Sequence, residues 1–331
     1  MTAYVVFSEL NDGNITLQET VPVSEKAWRT GGSRMFIEPD MQVSVEDLMR
    51  GMVIQSGNDA SVALAEHIAG SEEAFAGLMN HYAELLGMTG TNFTNSTGLP
   101  DPDHYTTARD ITILSAATVR DFPDYYTWYS EKEFTFNNIR QHNRNTLLWR
   151  DPAIDGLKTG HTEAAGYCLA ASAMRDGMRL ISAVMGSSSE SSRASESQTL
   201  LNYGFRFFET VQLYQAGQEL TNARVWKGLS EEVTLGIGEE LFVTIPRGRY
   251  DDLEAQLEMD QQLMAPLAEG QVIGKVHVRL GDESIASLDL LALESVEEAG
   301  FFGSAADSMQ LWFDSLFEDD EEAEEIDGQP D

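Results

Sequence analysis

The sequence predicts an α/β layer domain followed by a smaller all-β domain. Helical periodicity dominates residues 44 to 120. Two short apolar runs joined by an Asp-Gly turn then mark a strand pair backed by a helix. From Val211 to about Ser295 the segments become short, β-prone and punctuated by glycine.

The first ten residues, Met1 to Leu10, read like the middle of a buried helix. They carry no basic n-region, no adequate apolar h-region and no cleavage site, so they do not read as a secretory signal. Ser44-Val45-Glu46-Asp47 resembles a capping box, and Leu48, Met49 and Met52 recur at helical spacing up to Gln55. Ser56-Gly57-Asn58-Asp59 is loop chemistry. Helices are expected from Ala60 to Ala69 and from Glu72 to Leu86, the second with Ser71 as N-cap and Gly87 as stop. After Asp151-Pro152 the pattern changes to strands at Gly166–Ala173 and Met178–Met185, joined through Arg175-Asp176-Gly177. Ser191 to Glu209 reads as a helix with Leu200, Leu201, Phe205 and Phe208 on one side, so helices bracket a sheet.

The second domain is read from Val233-Thr234-Leu235-Gly236, from 241–245 and from 275–280. Beyond it Met309, Trp312, Phe313, Leu316 and Phe317 line one face of a short helix, and the acid run from Glu318 to Glu325 opens a disordered tail. The expected boundaries are 1–209, 210–297, 298–318 for the amphipathic helix and 319–331 for the tail.

Composition narrows the partners. The 331 residues hold 55 Asp+Glu against 21 Lys+Arg, a formal charge of −34, so the summed field repels a polyanion and nucleic acid is excluded as a partner. Lysine is scarce: Lys26, Lys132, Lys158, Lys227 and Lys275 stand against sixteen arginines. Heavy acid use with little lysine fits a surface that stays solvated in concentrated salt, where a Debye length of about 3 Å at 1 M screens the self-repulsion. A melting temperature that rises as salt is added is the expected result. One that stays level would leave an ordinary acidic protein.

No run of apolar residues is long enough to span a bilayer as a helix. The single cysteine, Cys168, excludes an intramolecular disulfide, and its apolar strand context reads as an inert buried thiol. The six histidines are scattered without His-Glu-x-x-His spacing, and Asp101-Pro102-Asp103-His104 reads as a turn, so no metal or other cofactor is expected. Gly236-Ile237-Gly238 lacks the third glycine and the following helix of a dinucleotide loop.

Two triplets remain, Ser56-Gly57-Asn58 and Lys158-Thr159-Gly160, the latter followed by His161. Either alone is ordinary turn or strand chemistry. Together and in this order they resemble the second and third motifs of penicillin-binding proteins, with glycine in place of the middle aspartate. Further matches run along nearly the whole chain, including Met41-Gln42-Val43, Glu133 to Asn137, Arg140-Gln141, Asn143-Arg144-Asn145, Gly156 to Thr162 and Gly204 to Thr210. On these residues the sequence resembles the D-alanyl-D-alanine carboxypeptidases, the low-molecular-mass penicillin-binding proteins of serine peptidase family S11.

The resemblance implies a penicillin-binding, β-lactamase-like transpeptidase domain, incomplete at its N-terminus, acting on peptidoglycan stem peptides that end in D-Ala-D-Ala. Ser56 would relay protons around the nucleophile and Asn58 would hold the substrate amide. Lys158 and Thr159, with Gly160 and His161 beside them, would bind the terminal carboxylate. Arg193 and Arg144 match further arginines near the cleft, and a guanidinium suits a carboxylate because its donors form a fixed fork. β-Lactams would inhibit a full-length form. The resemblance also implies a periplasmic place on the outer face of the cytoplasmic membrane, with peripheral contact through 304–317. Residues 280 to 331, however, hold no Lys or Arg for anionic lipid.

One departure matters more. The family's first motif sets a serine three residues before a lysine on a helix, so that both lie on one face and the lysine takes the serine proton. The residues three positions before the five lysines are Val23, Tyr129, Asp155, Arg224 and Val272. No Ser-x-x-Lys is present. The family places that motif just before the helix resembling Met1 to Leu10, so Met1 is read as an internal methionine and the chain as given is expected to be inactive. The alternatives are a non-catalytic cell-wall peptide-binding pseudoenzyme of this fold, or a DD-endopeptidase or β-lactamase.

Overall fold

A computed structural model describes residues 1–259 and 262–300. The chain divides into two compact units, Met1–Arg206 and Phe207 onward.

The first unit opens with α1 (Thr2–Asn11), which is apolar almost all round because Val5, Val6 and Phe7 are fully buried. A small antiparallel pair follows, β1 (Thr20–Pro22) with β2 (Gln42–Ser44), and α2 (Glu25–Arg29) lies between them in sequence. Helix α3 (Val45–Gln55) begins with Ser44 as its N-cap: Ser44 Oγ accepts from the Asp47 N–H at 3.1 Å, and the Asp47 carboxylate returns to the Ser44 hydroxyl, which donates to it at 2.8 Å, rather than to the Ser44 N–H of a full capping box. Helix α4 (Asn58–Ala69) starts two residues before the expected Ala60. Helix α5 (Glu72–Leu85) carries the Ser71 cap, and α6 (Ala108–Asp121) is capped by Thr107. The short α7 (Pro123–Tyr126) leads to the hairpin β3 (Glu133–Phe136) and β4 (Ile139–His142). The Asn137-Asn138 turn of that hairpin has both φ angles positive, a conformation asparagine tolerates.

The main sheet is antiparallel in the order β5 (Ile154–Thr162), β6 (Gly166–Arg175), β7 (Met178–Ser187). Its β6–β7 turn places Asp176 and Gly177 at φ 49° and 81°, as an Asp-Gly hairpin demands. Alternation along β6 divides the core. Ala170 joins the helical cluster, while Leu169, Ala171 and Ala173 pack with Leu201 of α8 (Glu190–Phe207). The expected helix to Glu209 therefore stops short, because Phe208 and Glu209 already belong to the next strand. Cys168 is only half-buried on β6, with its sulfur near the Ala165 carbonyl, which corrects the expectation of a buried thiol.

The second unit contains β8 (Phe208–Tyr214), β9 (Glu219–Trp226), β10 (Glu232–Gly236), β11 (Leu241–Pro246), β12 (Leu253–Met259), β13 (Leu263–Met264), β14 (Val272–Leu280) and β15 (Glu283–Ala292). Strands β8 and β11 form one pair, and six others form a sheet in the order β12-β14-β15-β10-β9-β13. Strict alternation buries Leu241, Val243 and Ile245 of β11 and Val276 and Val278 of β14. Among the described residues no helix is long and apolar enough to cross a membrane. The expected amphipathic helix beyond residue 300 and the acidic tail lie outside the described residues.

Candidate active site

Helices α3 and α4 meet with only Ser56 and Gly57 between them. Ser56 caps α3 in the left-handed region (φ 68°, ψ 38°), its N–H reaching the Met52 carbonyl at 3.0 Å. A side chain in this conformation costs about 1 kcal/mol, which glycine would avoid. Gly57 has a different constraint. A Cβ there would stand 2.9 Å from Asp59 Oδ1 and 3.1 Å from the Met35 nitrogen, so only glycine lets the backbone approach. The next residue, Asn58, is the first of α4 and is nearly buried.

Strand β5 brings the other half of the site. Lys158 Nζ donates to Ser56 Oγ at 2.7 Å and to the Thr159 carbonyl at 3.2 Å. Burial lowers its ammonium from 10.5 to about 7, and the positive charges of Arg144 and Arg193 push in the same direction. Near neutrality Lys158 is therefore split between its charged and neutral forms. It can give a proton to, or take one from, the hydroxyl it touches.

Buried asparagines hold this strand and its neighbour Arg144. Asn145 Nδ2 donates to the Gly156 carbonyl at 2.9 Å, and Asn143 Nδ2 donates to the Glu131 carbonyl at 2.9 Å. Arg144 between them faces outward, where the Gln55 side-chain oxygen accepts from its Nη2 at 3.2 Å and the Gln55 amide nitrogen donates to the His142 carbonyl at 3.3 Å. Arg193 comes from α8 and is only 3% exposed. One of its N–H groups donates to the Gly160 carbonyl at 3.1 Å, Glu190 lies 3.6 Å away, and its guanidinium sits over the Tyr167 ring.

Ser56, Asn58 and Lys158 line one cavity of about 250 Å³, with Met52, Phe93 and Leu157 among its apolar walls. Thr159, Gly160, His161, Arg144 and Arg193 do not reach its wall. Thr159 is buried beside Lys158, Gly160 is exposed, and the exposed His161 ring packs on Tyr167 at 4.0 Å. The three cations that converge here are unusual in a chain of charge −34, and they suit a ligand carrying a carboxylate. Asp101-Pro102-Asp103-His104 is the expected turn: the Asp103 N–H donates to Asp101 Oδ1 at 2.9 Å. Sequence reasoning missed Asp59 and the 31–37 loop, which holds Asn58 from behind.

The family model described as D-alanyl-D-alanine carboxypeptidase matches residues 1–189, a stretch that includes Ser56 and Lys158. The chain belongs to the D-alanyl-D-alanine carboxypeptidase family. A second model, penicillin-binding protein 5, C-terminal domain, matches residues 208–298, so the two units are the transpeptidase-type α/β domain and the small all-β domain of that family. D-alanyl-D-alanine carboxypeptidase DacC of Escherichia coli is 47% identical over 329 residues, covering 96% of this chain and 82% of the relative. DacA of the same organism is 44% identical, with 96% and 81% covered. The crystal structure of penicillin binding protein 5 from Haemophilus influenzae superposes with a TM-score of 0.83 at 47% identity, covering 90% of this chain and 88% of that one. Penicillin-binding protein D2 from Listeria monocytogenes, solved in an ampicillin-bound form, covers 62% of this chain at 29% identity and TM-score 0.57, with 83% of its own chain covered.

Proposed function

We propose that this chain forms the substrate crevice of a serine-type D-Ala-D-Ala carboxypeptidase that trims peptidoglycan stem peptides on the outer face of the cytoplasmic membrane. The contact of Lys158 Nζ with Ser56 Oγ, at 2.7 Å in a site shared with Asn58, carries the reading. In the proposed reaction a serine oxygen attacks the carbonyl of the penultimate D-alanine and its proton passes to a lysine. The C–N bond then breaks, and the departing D-alanine nitrogen receives a proton through the Ser56–Lys158 pair. Water cleaves the resulting ester. Asn58 holds the peptide amide, while Lys158, Thr159, Gly160, His161, Arg193 and Arg144 form the side that receives the terminal carboxylate. A β-lactam would enter by the same route and leave the serine acylated, its opened ring remaining attached through the ester.

The attacking serine is proposed to stand in a Ser-x-x-Lys segment N-terminal to Met1, because none of the five lysines has a serine three residues before it. The same observation favours one second reading, a cell-wall peptide-binding module that never acylates. Labelling with fluorescent penicillin decides between them. The product of the longest in-frame gene is expected to be labelled at an upstream serine while the 331-residue chain stays dark. A longest product without Ser-x-x-Lys that takes no label would establish the binding module, and labelling of the 331-residue chain itself would sink the assignment of the nucleophile. Product analysis with a pentapeptide, a cross-linked dimer and a cephalosporin separates carboxypeptidase from endopeptidase and β-lactamase.

A further inference from the structure

We infer that Asp59 is the positioning residue of this crevice: its buried carboxylate clasps the 31–37 loop and thereby sets where the Asn58 amide stands. The clasp itself stands on geometry alone. Its effect on peptide binding rests on the carboxypeptidase reading of the crevice.

Asp59 is fully buried. Its Oδ1 accepts from the N–H groups of Met35 and Ala60, both at 3.0 Å. Its Oδ2 accepts from Phe36 at 3.0 Å and Ile37 at 3.3 Å. Three successive N–H groups pointing at one anion form a nest, a concavity that needs a left-handed residue within it. Phe36 supplies that residue at φ 69°. An aromatic side chain disfavours this conformation, and Phe36 is 49% exposed, so packing does not account for it. The carboxylate does.

Asn58 holds the other side of the same loop. Its backbone N–H donates to the Ser33 carbonyl and its Nδ2 to the Gly31 carbonyl, both at 2.8 Å. Two consecutive residues thus grip one loop in opposite senses, one by donating to carbonyls 31 and 33, the other by accepting from amides 35 to 37. Gly32, at φ 83°, passes so close that a Cβ would lie 2.7 Å from Asn58 Nδ2. Since the partner of Nδ2 fixes the rotation of a carboxamide, the loop decides the direction in which Asn58 Oδ1 faces. Releasing the loop lets that oxygen turn.

The test is Asp59→Asn in the 331-residue chain, which keeps the side-chain shape but offers an NH₂ group to N–H donors. Amide hydrogen exchange at residues 35 to 37 is expected to quicken by about a hundredfold while amides of α3 and α5 keep their protection. The affinity for an acylated D-Ala-D-Ala tripeptide is expected to fall by about tenfold. The titration midpoint of the Lys158 ammonium, followed by NMR, should stay where it is, whereas general loosening of the unit would move it. Unchanged protection at 35 to 37 overturns the clasp. Lost protection with undiminished peptide affinity overturns its positioning role. A parent chain that binds no tripeptide overturns the substrate reading of the crevice, and the exchange pattern still decides the clasp. Should Asp59→Asn fail to fold, Gly57→Ala drives a methyl between Asp59 Oδ1 and the Met35 nitrogen with the carboxylate intact. The same local loss is then expected, and its absence overturns the proposal.

Discussion

Replacing Lys158 by methionine is expected to stabilise the protein at pH 6 while removing the proton transfer proposed for it. The native ammonium gives up its proton near pH 7, whereas in the unfolded chain it holds it to about 10.5. Below pH 7 both states are protonated and the native one bears the whole cost of a charge buried beside Arg144 and Arg193. Between pH 7 and 10.5 the unfolded chain binds more protons, so the stability of the parent climbs with pH through that window. Methionine fills similar volume without charge. The gain is therefore largest at and below pH 7, on the order of a few kcal/mol, and the slope above pH 7 disappears. Urea unfolding at pH 6 and pH 9 measures both. In the longer, nucleophile-bearing form proposed above, the same substitution is expected to slow β-lactam acylation by about 10³-fold, the scale of a lost proton-transfer group. Parent stability that is flat between pH 7 and 10, or acylation at the parental rate, would remove Lys158 from its place in the mechanism.

The second large effect is on the fold. Phe7 is fully buried, stacked on Tyr125 at 5.1 Å, tilted against Phe122 and edge-on to Trp128. Truncation to alanine leaves a hole among rings that cannot close it, and Phe7→Ala is expected to cost about 4 kcal/mol. For a unit of this length that is a fall of roughly 10 °C in melting temperature. Because Phe7 belongs to the core of the first unit and the β unit has its own, calorimetry should show one transition moving and the other staying. A shift under about 2 °C would mean that the aromatic cluster is not a single packed element.

Much of the fold was legible because its signals are local. The Ser44 and Ser71 caps, the Asp-Gly turn and the β-prone run 241–245 all act within a few residues of where they are written, and the structure places each of them as read. The errors fall where distant contacts decide. Helix α4 starts at Asn58 rather than Ala60 because Asn58 and Asp59 find partners in the 31–37 loop, more than twenty residues upstream. Helix α8 ends at Phe207 because Phe208 pairs with Pro246 of β11.

The site was legible in a different way. Nothing in the spacing of Ser56 and Lys158 states that they touch, and each triplet by itself is indistinguishable from turn or strand chemistry. Resemblance joined them, and the 2.7 Å contact supplies the physical link. Asp59 escaped notice because an aspartate after Ser-Gly-Asn looks like one more turn residue. Only its four backbone partners show otherwise.

Ser56 occupies a conformation that glycine would adopt freely. A population selected only for survival at high temperature would drift toward Ser56→Gly, gaining stability and losing the hydroxyl that Lys158 contacts. Stability and the proton relay proposed for Ser56 thus pull in opposite directions at this one position.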